Sequence, residues 1–209
     1  MELSEAVRRR RMVRTYDPDR PVPDDVLVRL VRLAVRAPSA GHSQGLDLLV
    51  LRGEPLARFW EATTGRPEGG HVPDRWLRGM RSAPVCVLVL SDPQRYLDRY
   101  AEPDKGRTDR DPAAWPVPYW DVDAGMAAML LLLGAVDEGL GACFFGVPPD
   151  RHEAVRAVFD VPGDRRLVGV VSLGAPAPDR RSPSLRRGRR PVAEVVHDGR
   201  FGVAPGWLA

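Results

Sequence analysis

The sequence predicts one α+β domain of about four strands and six or more helices. Three observations predict it. The chain has 209 residues, enough for one full-sized core. Stretches with helical apolar spacing alternate with short apolar runs of strand length. Its 20 Gly and 21 Pro punctuate those stretches from end to end, so turns separate short regular elements. With 44% hydrophobic and 28% charged residues, the composition excludes disordered, collagen-like and coiled-coil chains.

Each element follows from local pattern. Ser4 and Glu5, with Leu3 as a hydrophobic staple, predict a helix running through Arg8 to Val13. The Pro-rich run 17–25 can only turn and extend until Pro23 and Asp24 open a second helix, apolar at 26, 27, 30, 31 and 34, which breaks at Ala37-Pro38. After the loop 38–45, LDLLVL at 46–51 reads as the first strand. Residues 54–62 and 73–81 read as helices on either side of a Gly-rich turn, and Pro84 to Leu90 as the second strand. From 98 to 118 no period holds and four prolines interrupt, as in lids and binding loops.

Tyr119 to Leu140 reads as one long helix, apolar nearly all round, suited to the domain centre or a subunit interface. Strand 142–147, helix Pro149 to Phe159 and strand 166–174 complete the domain. No internal repeat appears. The arm 175–209 is rich in Pro, Arg and Gly and has only VAEVV, 192–196, as a piece able to pair as a strand, so it is expected to wrap along another surface, a partner subunit being the natural one.

Net charge is only +3, and Lys105 is the sole Lys among 31 basic residues. Arginine spread along the whole chain is a compositional bias rather than a nucleic-acid footprint, which clusters on one face. Only 8–14 and 180–190 concentrate it. Cys86 and Cys143 sit in apolar runs as small buried hydrophobes. The N-terminal residues are polar, and the longest uncharged run, Ala124 to Val136, is too short to span a bilayer, so a reducing cytoplasm with no membrane partner is expected.

No GxGxxG after a strand, P-loop, GxSxG elbow or zinc spacing occurs, which removes support for hydrolases and metalloenzymes. Of four histidines, those at 71, 152 and 197 read as surface residues; His42 lies in a loop of small and polar residues. Two arginine groups, Arg10, Arg11 and Arg14 and then Arg187, Arg189 and Arg190, leave two readings: solvated basic segments, or forks converging on a dianion.

The order RRMVRTY at 10–16, APSAGHSQG at 37–45, GLGACFFGV at 139–147 and RRGRRPVAEVV at 186–196 resembles the FMN-dependent nitroreductase family. Departures are Met12 for a Ser, His42 for an Asn and Gly45-Leu46 for Pro-Trp. The resemblance implies a mostly antiparallel sheet of four to five strands surrounded by helices. It also implies a homodimer with FMN at the interface, the arm reaching onto the partner. By carry-over, Arg10, Arg11, Met12, Arg14, Arg187 and Arg189 hold the phosphate and ribityl end. Pro38, Ser39, Ala40, His42 and Gln44 come from the partner chain. Phe144, Phe145, Gly146 and Val147 lie along the flavin and offer an N–H to N5, and Arg78 corresponds to the basic residue near N1 and O2, or is simply an exposed helix arginine. Trp115, Tyr119 and Trp120 either wall the substrate pocket or anchor the long helix.

The chemistry so implied needs no protein nucleophile and no metal: a ping-pong exchange from NADH or NADPH through FMN to a nitroaromatic, quinone or flavin-like acceptor. Alternatives are a non-catalytic flavin-storage protein, a specialised member acting on a dedicated metabolite, and an arginine-rich nucleic-acid-binding domain, the last disfavoured by the balanced charge.

Overall fold

The computed structural model describes residues 1–64, 74–179 and 182–208, in two units, Met1–Asp179 and Arg180–Ala209. His71, the Gly-rich turn and the first residue of the helix expected at 73–81 lie outside the described residues. The first unit holds seven α-helices among the described residues: α1 (Leu3–Arg9), α2 (Asp24–Ala34), α3 (Glu54–Thr64), α4 (Arg75–Arg81), α5 (Pro93–Tyr100), α6 (Tyr119–Asp137) and α7 (His152–Phe159). Its four strands are β1 (Leu46–Arg52), β2 (Val85–Ser91), β3 (Gly141–Phe145) and β4 (Arg166–Gly174). They pair in the order β1-β2-β4-β3, every pair antiparallel. The predicted α+β class and strand count therefore stand.

Because side chains alternate across a strand, β2 feeds two cores at once. Val85, Val87 and Val89 pack with Leu27 and Leu30 of α2 and Leu131 of α6, while Cys86, Leu88 and Leu90 pack with Phe59 and Trp60 of α3 and Val155 of α7. Every residue of β2 is buried, so its reading as a continuous apolar run reflects a strand covered on both faces. Each such side chain contributes roughly 1.5–3 kcal/mol on burial. Burial also pushes the Cys86 thiol up, which keeps it a neutral core hydrophobe.

α6 is the one helix among the described residues whose length and apolarity would span a membrane, yet it lies against all four strands as the central core helix. Gly134 permits its approach to α2, since a Cβ there would come within 2.8 Å of Leu30 Cδ2. The helix stops at Asp137, short of the expected Leu140. Gly139 turns left-handed (φ +70°), and the Leu140 N–H donates back to Ala135 O at 2.7 Å.

The structure corrects several boundaries. α1 ends at Arg9 rather than Val13, and its N-cap, Glu2, makes no side-chain capping bond. Met12 bridges Ala142, and the Val13 N–H donates to Ala142 O, so β3 recruits 12–13 as an extra edge and overrides helix propensity. α5 was not expected; Asp92 caps it by accepting from the Arg95 N–H, with Pro93 in its first turn. It takes the first three residues of the irregular 98–118 segment. Residues 175–179 belong to the first unit, where the Ala177 N–H donates to Thr15 O. In the second unit, described by itself, VAEVV is no strand. Pro191 precedes a 3-10 turn at Val192–Glu194, closed by Val195 and Val196 N–H donating to Val192 O.

Candidate functional site

Antiparallel pairing fixes where the candidate segments lie. β1 begins and β3 ends at the same end of the sheet, but on opposite edges. The 38–45 loop enters β1 on one edge, and 144–147 leaves β3 on the other, about three strand spacings, roughly 14 Å, apart.

On the β3 edge, residues 10–16 run alongside the strand. The Phe144 N–H donates to Met12 Sδ at 3.5 Å, so the thioether that stands in for a family Ser is itself an acceptor for the outer edge. β3 ends at Phe145, and Gly146 is the first residue beyond it. Gly146 is exposed, with open space where a Cβ would project. Val147 is buried, and its carbonyl lies 3.1 Å from His152 Nε2 at the start of α7, which places that histidine against the loop rather than in solvent.

The Arg14 N–H donates to Asp179 Oδ2 and its Nη1 to Met12 O. Tyr16 is locked by a hydroxyl that bonds Val13 O and Ser172 Oγ at 2.6 and 2.7 Å, and burial pushes that hydroxyl up out of the titrating range. α4 closes over this run. Gly79 leaves no room for a Cβ, which would meet Arg14 O at 2.1 Å. Arg10 is half-buried with Nη1 sealed from solvent and without a partner among the described residues. A sealed guanidinium nitrogen is costly unless an anion completes it. Arg11 is exposed, as is Arg78 on α4. Phe145 stacks on Trp60 at 5.7 Å and meets Trp76 edge-on at 5.8 Å, an aromatic wall that periodicity alone did not single out.

The 38–45 loop on the other edge is held under strain. Gly41, His42 and Gln44 all have φ between +53° and +61°, a region costly for side chains with a Cβ. The surroundings over-determine it. Asp123 of α6 accepts from the Ala40 N–H at 2.8 Å and the Tyr96 hydroxyl at 2.7 Å through one oxygen, Oδ2. Ser39 Oγ accepts from the Gln44 N–H, and Arg99 Nε donates to Gly41 O. The Tyr100 ring lies where a Gly41 Cβ would be. The loop thereby presents Pro38, His42 and Gln44 at the surface with Ser39 and Ala40 half-buried. Asp123 and Tyr96 were not singled out in the sequence, because a buried Asp on an apolar helix has no motif.

Trp115 is the hub of an aromatic cluster behind this loop, 4.7 Å from Tyr100, 5.7 Å from Trp120 and 6.2 Å from Tyr119. Trp120 is buried, with its Nε1 sealed and without a partner among the described residues, whereas Tyr119 is 45% exposed. Arg99 grips Asp104 with two nitrogens and Arg110 reaches Asp98, so 98–118 is tied down by ion pairs. Arg187 and Arg189 are exposed in the second unit. Among the described residues no cluster of His, Cys, Asp or Glu could hold a metal ion. One chain thus gathers Arg10, Met12, Arg14 and 144–147 at the β3 edge, and 38–44 with the aromatic cluster at the β1 edge. It does not bring the two sets together.

The nitroreductase family model matches residues 7–175, spanning both sets. The chain is 30% identical over 180 residues to a Methanothermobacter thermautotrophicus protein provisionally named NADH dehydrogenase/NAD(P)H nitroreductase, covering 85% of this chain and 78% of that one. It is 28% identical over 197 residues to an NADH dehydrogenase of Thermus thermophilus, covering 85% and 88%. Among solved structures, the FMN complex of a Desulfovibrio desulfuricans protein superposes with a TM-score of 0.68 at 23% identity, covering 96% of this chain and 98% of that one. Nitroreductase CinD of Lactococcus lactis, solved with nicotinic acid, gives 0.67 at 21%, covering 90% and 98%. The fold is theirs, the match runs from α1 to the end of the sheet, and the chain belongs to the nitroreductase family.

Proposed function

We propose that the protein is a homodimeric, FMN-dependent oxidoreductase that takes electrons from NADH or NADPH and gives them to a small organic acceptor. The observation that carries the reading is the run holding Arg10, Arg11 and Arg14, which Met12 and Val13 fasten beside β3 at Ala142. A phosphate is the anion a guanidinium fits, since its oxygens accept two parallel N–H bonds. Family membership and the names of the relatives support the same reading.

Arg10, Arg11 and Arg14 hold the phosphate. When FMN is bound, a backbone N–H of 144–147 would donate to N5, and Arg78 would place positive charge near N1 and O2. Phe145, braced by Trp60 and Trp76, would lie along the flavin. FMN when bound supplies a two-electron carrier for a ping-pong exchange between nicotinamide and a nitroaromatic, quinone or flavin-like acceptor.

Pro38, Ser39, Ala40, His42 and Gln44 enter the site from a second copy, because in one chain they stand on the far edge of the sheet. A ready surface for that copy is the exposed apolar stripe Tyr119, Val122, Met126 and Met129 of α6, with Leu3 and Val7 of α1 also exposed.

An absorbance spectrum of the purified protein, before and after anaerobic NADH or NADPH, tests the reading. A flavin spectrum that bleaches is the expected result. Flavin that stays oxidised with both donors would favour a storage protein, and failure to take up FMN on reconstitution would end the proposal.

A further inference from the structure

Behind the 38–45 loop lies a cavity of about 190 Å³. Asp123, Gly45 and Tyr96 are its buried lining residues, Ala37 and Leu46 add apolar walls beside the Tyr96 ring, and the exposed His42 and Gln44 stand at its rim. Asp123 is 6% exposed. Its Oδ2 takes both the Ala40 N–H and the Tyr96 hydroxyl. Its Oδ1 accepts no hydrogen bond from the described residues, and the residue lines the cavity. No cationic side chain among the described residues pairs with this carboxylate. The neighbouring arginines are engaged elsewhere: Arg99 with Asp104, Arg165 with Asp92 and Asp47, Arg166 with Asp121.

We propose that this cavity is a subsite for a small organic ammonium group, and that it selects acceptors carrying a protonated amine. The second half rests on the flavin reading above. A buried carboxylate wants a cationic partner or a full set of donors, and Asp123 has donors on one oxygen only. The tyrosine hydroxyl beside it stays a neutral donor, burial pushing its ionisation upward. A hydrated metal ion is a poor occupant, because it asks for several oxygen ligands and the walls are apolar. An ammonium on a short apolar body satisfies both ends: N⁺–H to Oδ1, carbon against Ala37, Leu46 and the face of Tyr96. The rim residues His42 and Gln44 are those proposed to face the flavin, so the rest of an acceptor anchored here would project toward it.

The test is calorimetric titration of the purified full chain at pH 7 with benzylamine and with benzyl alcohol, a pair of the same shape that differs in charge. Benzylamine should bind at least roughly tenfold more tightly, the usual worth of a hydrogen bond to a charged group. Asp123→Asn keeps a carbonyl oxygen for Ala40 and Tyr96 and turns an NH2 toward the cavity; it should bring benzylamine down to the alcohol's affinity. Ala37→Leu fills the space while leaving the carboxylate, and should also abolish binding. Equal affinity for the two ligands in the wild type, or unchanged benzylamine binding in both variants, overturns the subsite. For the second half, the flavin-loaded enzyme should favour 4-nitrobenzylamine over 4-nitrobenzyl alcohol in kcat/KM, mainly through KM, and Asp123→Asn should erase the preference. An unchanged ratio, or a protein that takes no flavin, overturns the acceptor assignment, while the titration alone decides the subsite.

Discussion

At the scale of single residues, the molecule spends conformational strain and unpaired charge in the same few places. Gly41 is left-handed and faces Tyr100 Cε2 at 2.7 Å from its would-be Cβ. Gly41→Ala therefore meets both a backbone penalty and a clash, and should cost roughly 1–3 kcal/mol, a drop of several degrees in the thermal midpoint. An unchanged midpoint would mean that Tyr100 swings aside and the loop is not held as described. Arg10 carries the opposite kind of cost. Its sealed Nη1 has no acceptor among the described residues, so Arg10→Met should leave the flavin-free protein as stable or more stable. The same change should lower FMN affinity by about tenfold or more through loss of a charge-assisted bond. Thermal melts with and without FMN, beside a flavin titration, separate these two effects. The sequence made Arg10 and the 38–45 loop visible as motifs. It could not show the Met12 thioether accepting the Phe144 N–H, or Asp123 holding Ala40, because both contacts join segments more than 80 residues apart.

At the scale of elements, strands were legible because they are short apolar runs, and α2 because its apolar positions recur at helical spacing. The misses have tertiary causes. Residues 10–13 have ordinary helix propensity, yet β3 offers them ladder bonds; α5 is short and polar, and its signal was only the Asp92-Pro93 cap. Packing between α2 and α6 is fastened at one end by Arg29, which donates Nε and Nη2 to the two oxygens of Glu138 at 2.7 and 2.8 Å. That bond holds the Glu138 carboxyl below its ordinary range, with Arg29 the first cause. A lowered carboxylate contributes stability above its ordinary range and loses it as pH falls through the lowered value. The pair is half-exposed, so the amount is modest. Arg29→Met should thus melt slightly below wild type at pH 7, and the gap should close in acid; a gap that stays constant with pH would deny the pair any role. Gly79 makes a sharper demand. Gly79→Ala drives a Cβ into a backbone oxygen, Arg14 O, and must shift α4 or the 12–16 run. It should lower the thermal midpoint and flavin retention together, unlike Arg10→Met, which separates them.

At the scale of the whole molecule, the decisive fact is that one end of the sheet carries the two sets of candidate residues on opposite edges. Sequence motifs named both halves but said nothing of their separation, which comes from the β1-β2-β4-β3 order. If a second copy supplies the missing half, two crippled chains can repair each other. A chain with Arg10→Met keeps a sound 38–45 loop, and a chain with Gly41→Ala keeps a sound β3 edge. Each alone should assemble with weakened flavin sites. Refolded together, mixed dimers would hold one site built from both sound halves and one from both damaged halves. Tight flavin binding should then reappear, approaching half of the sites in a purified mixed dimer and absent from either parent. Differently tagged chains, purified through both tags and titrated with FMN, give that count. No recovery in the mixed dimer would place both halves of each site in one chain, against the separation that the sheet imposes. The same logic ties flavin to assembly: Met126→Glu, which puts a charge in the exposed apolar stripe of α6, should shift sedimentation toward monomer and strip flavin in parallel, although Met126 lies on neither half-site.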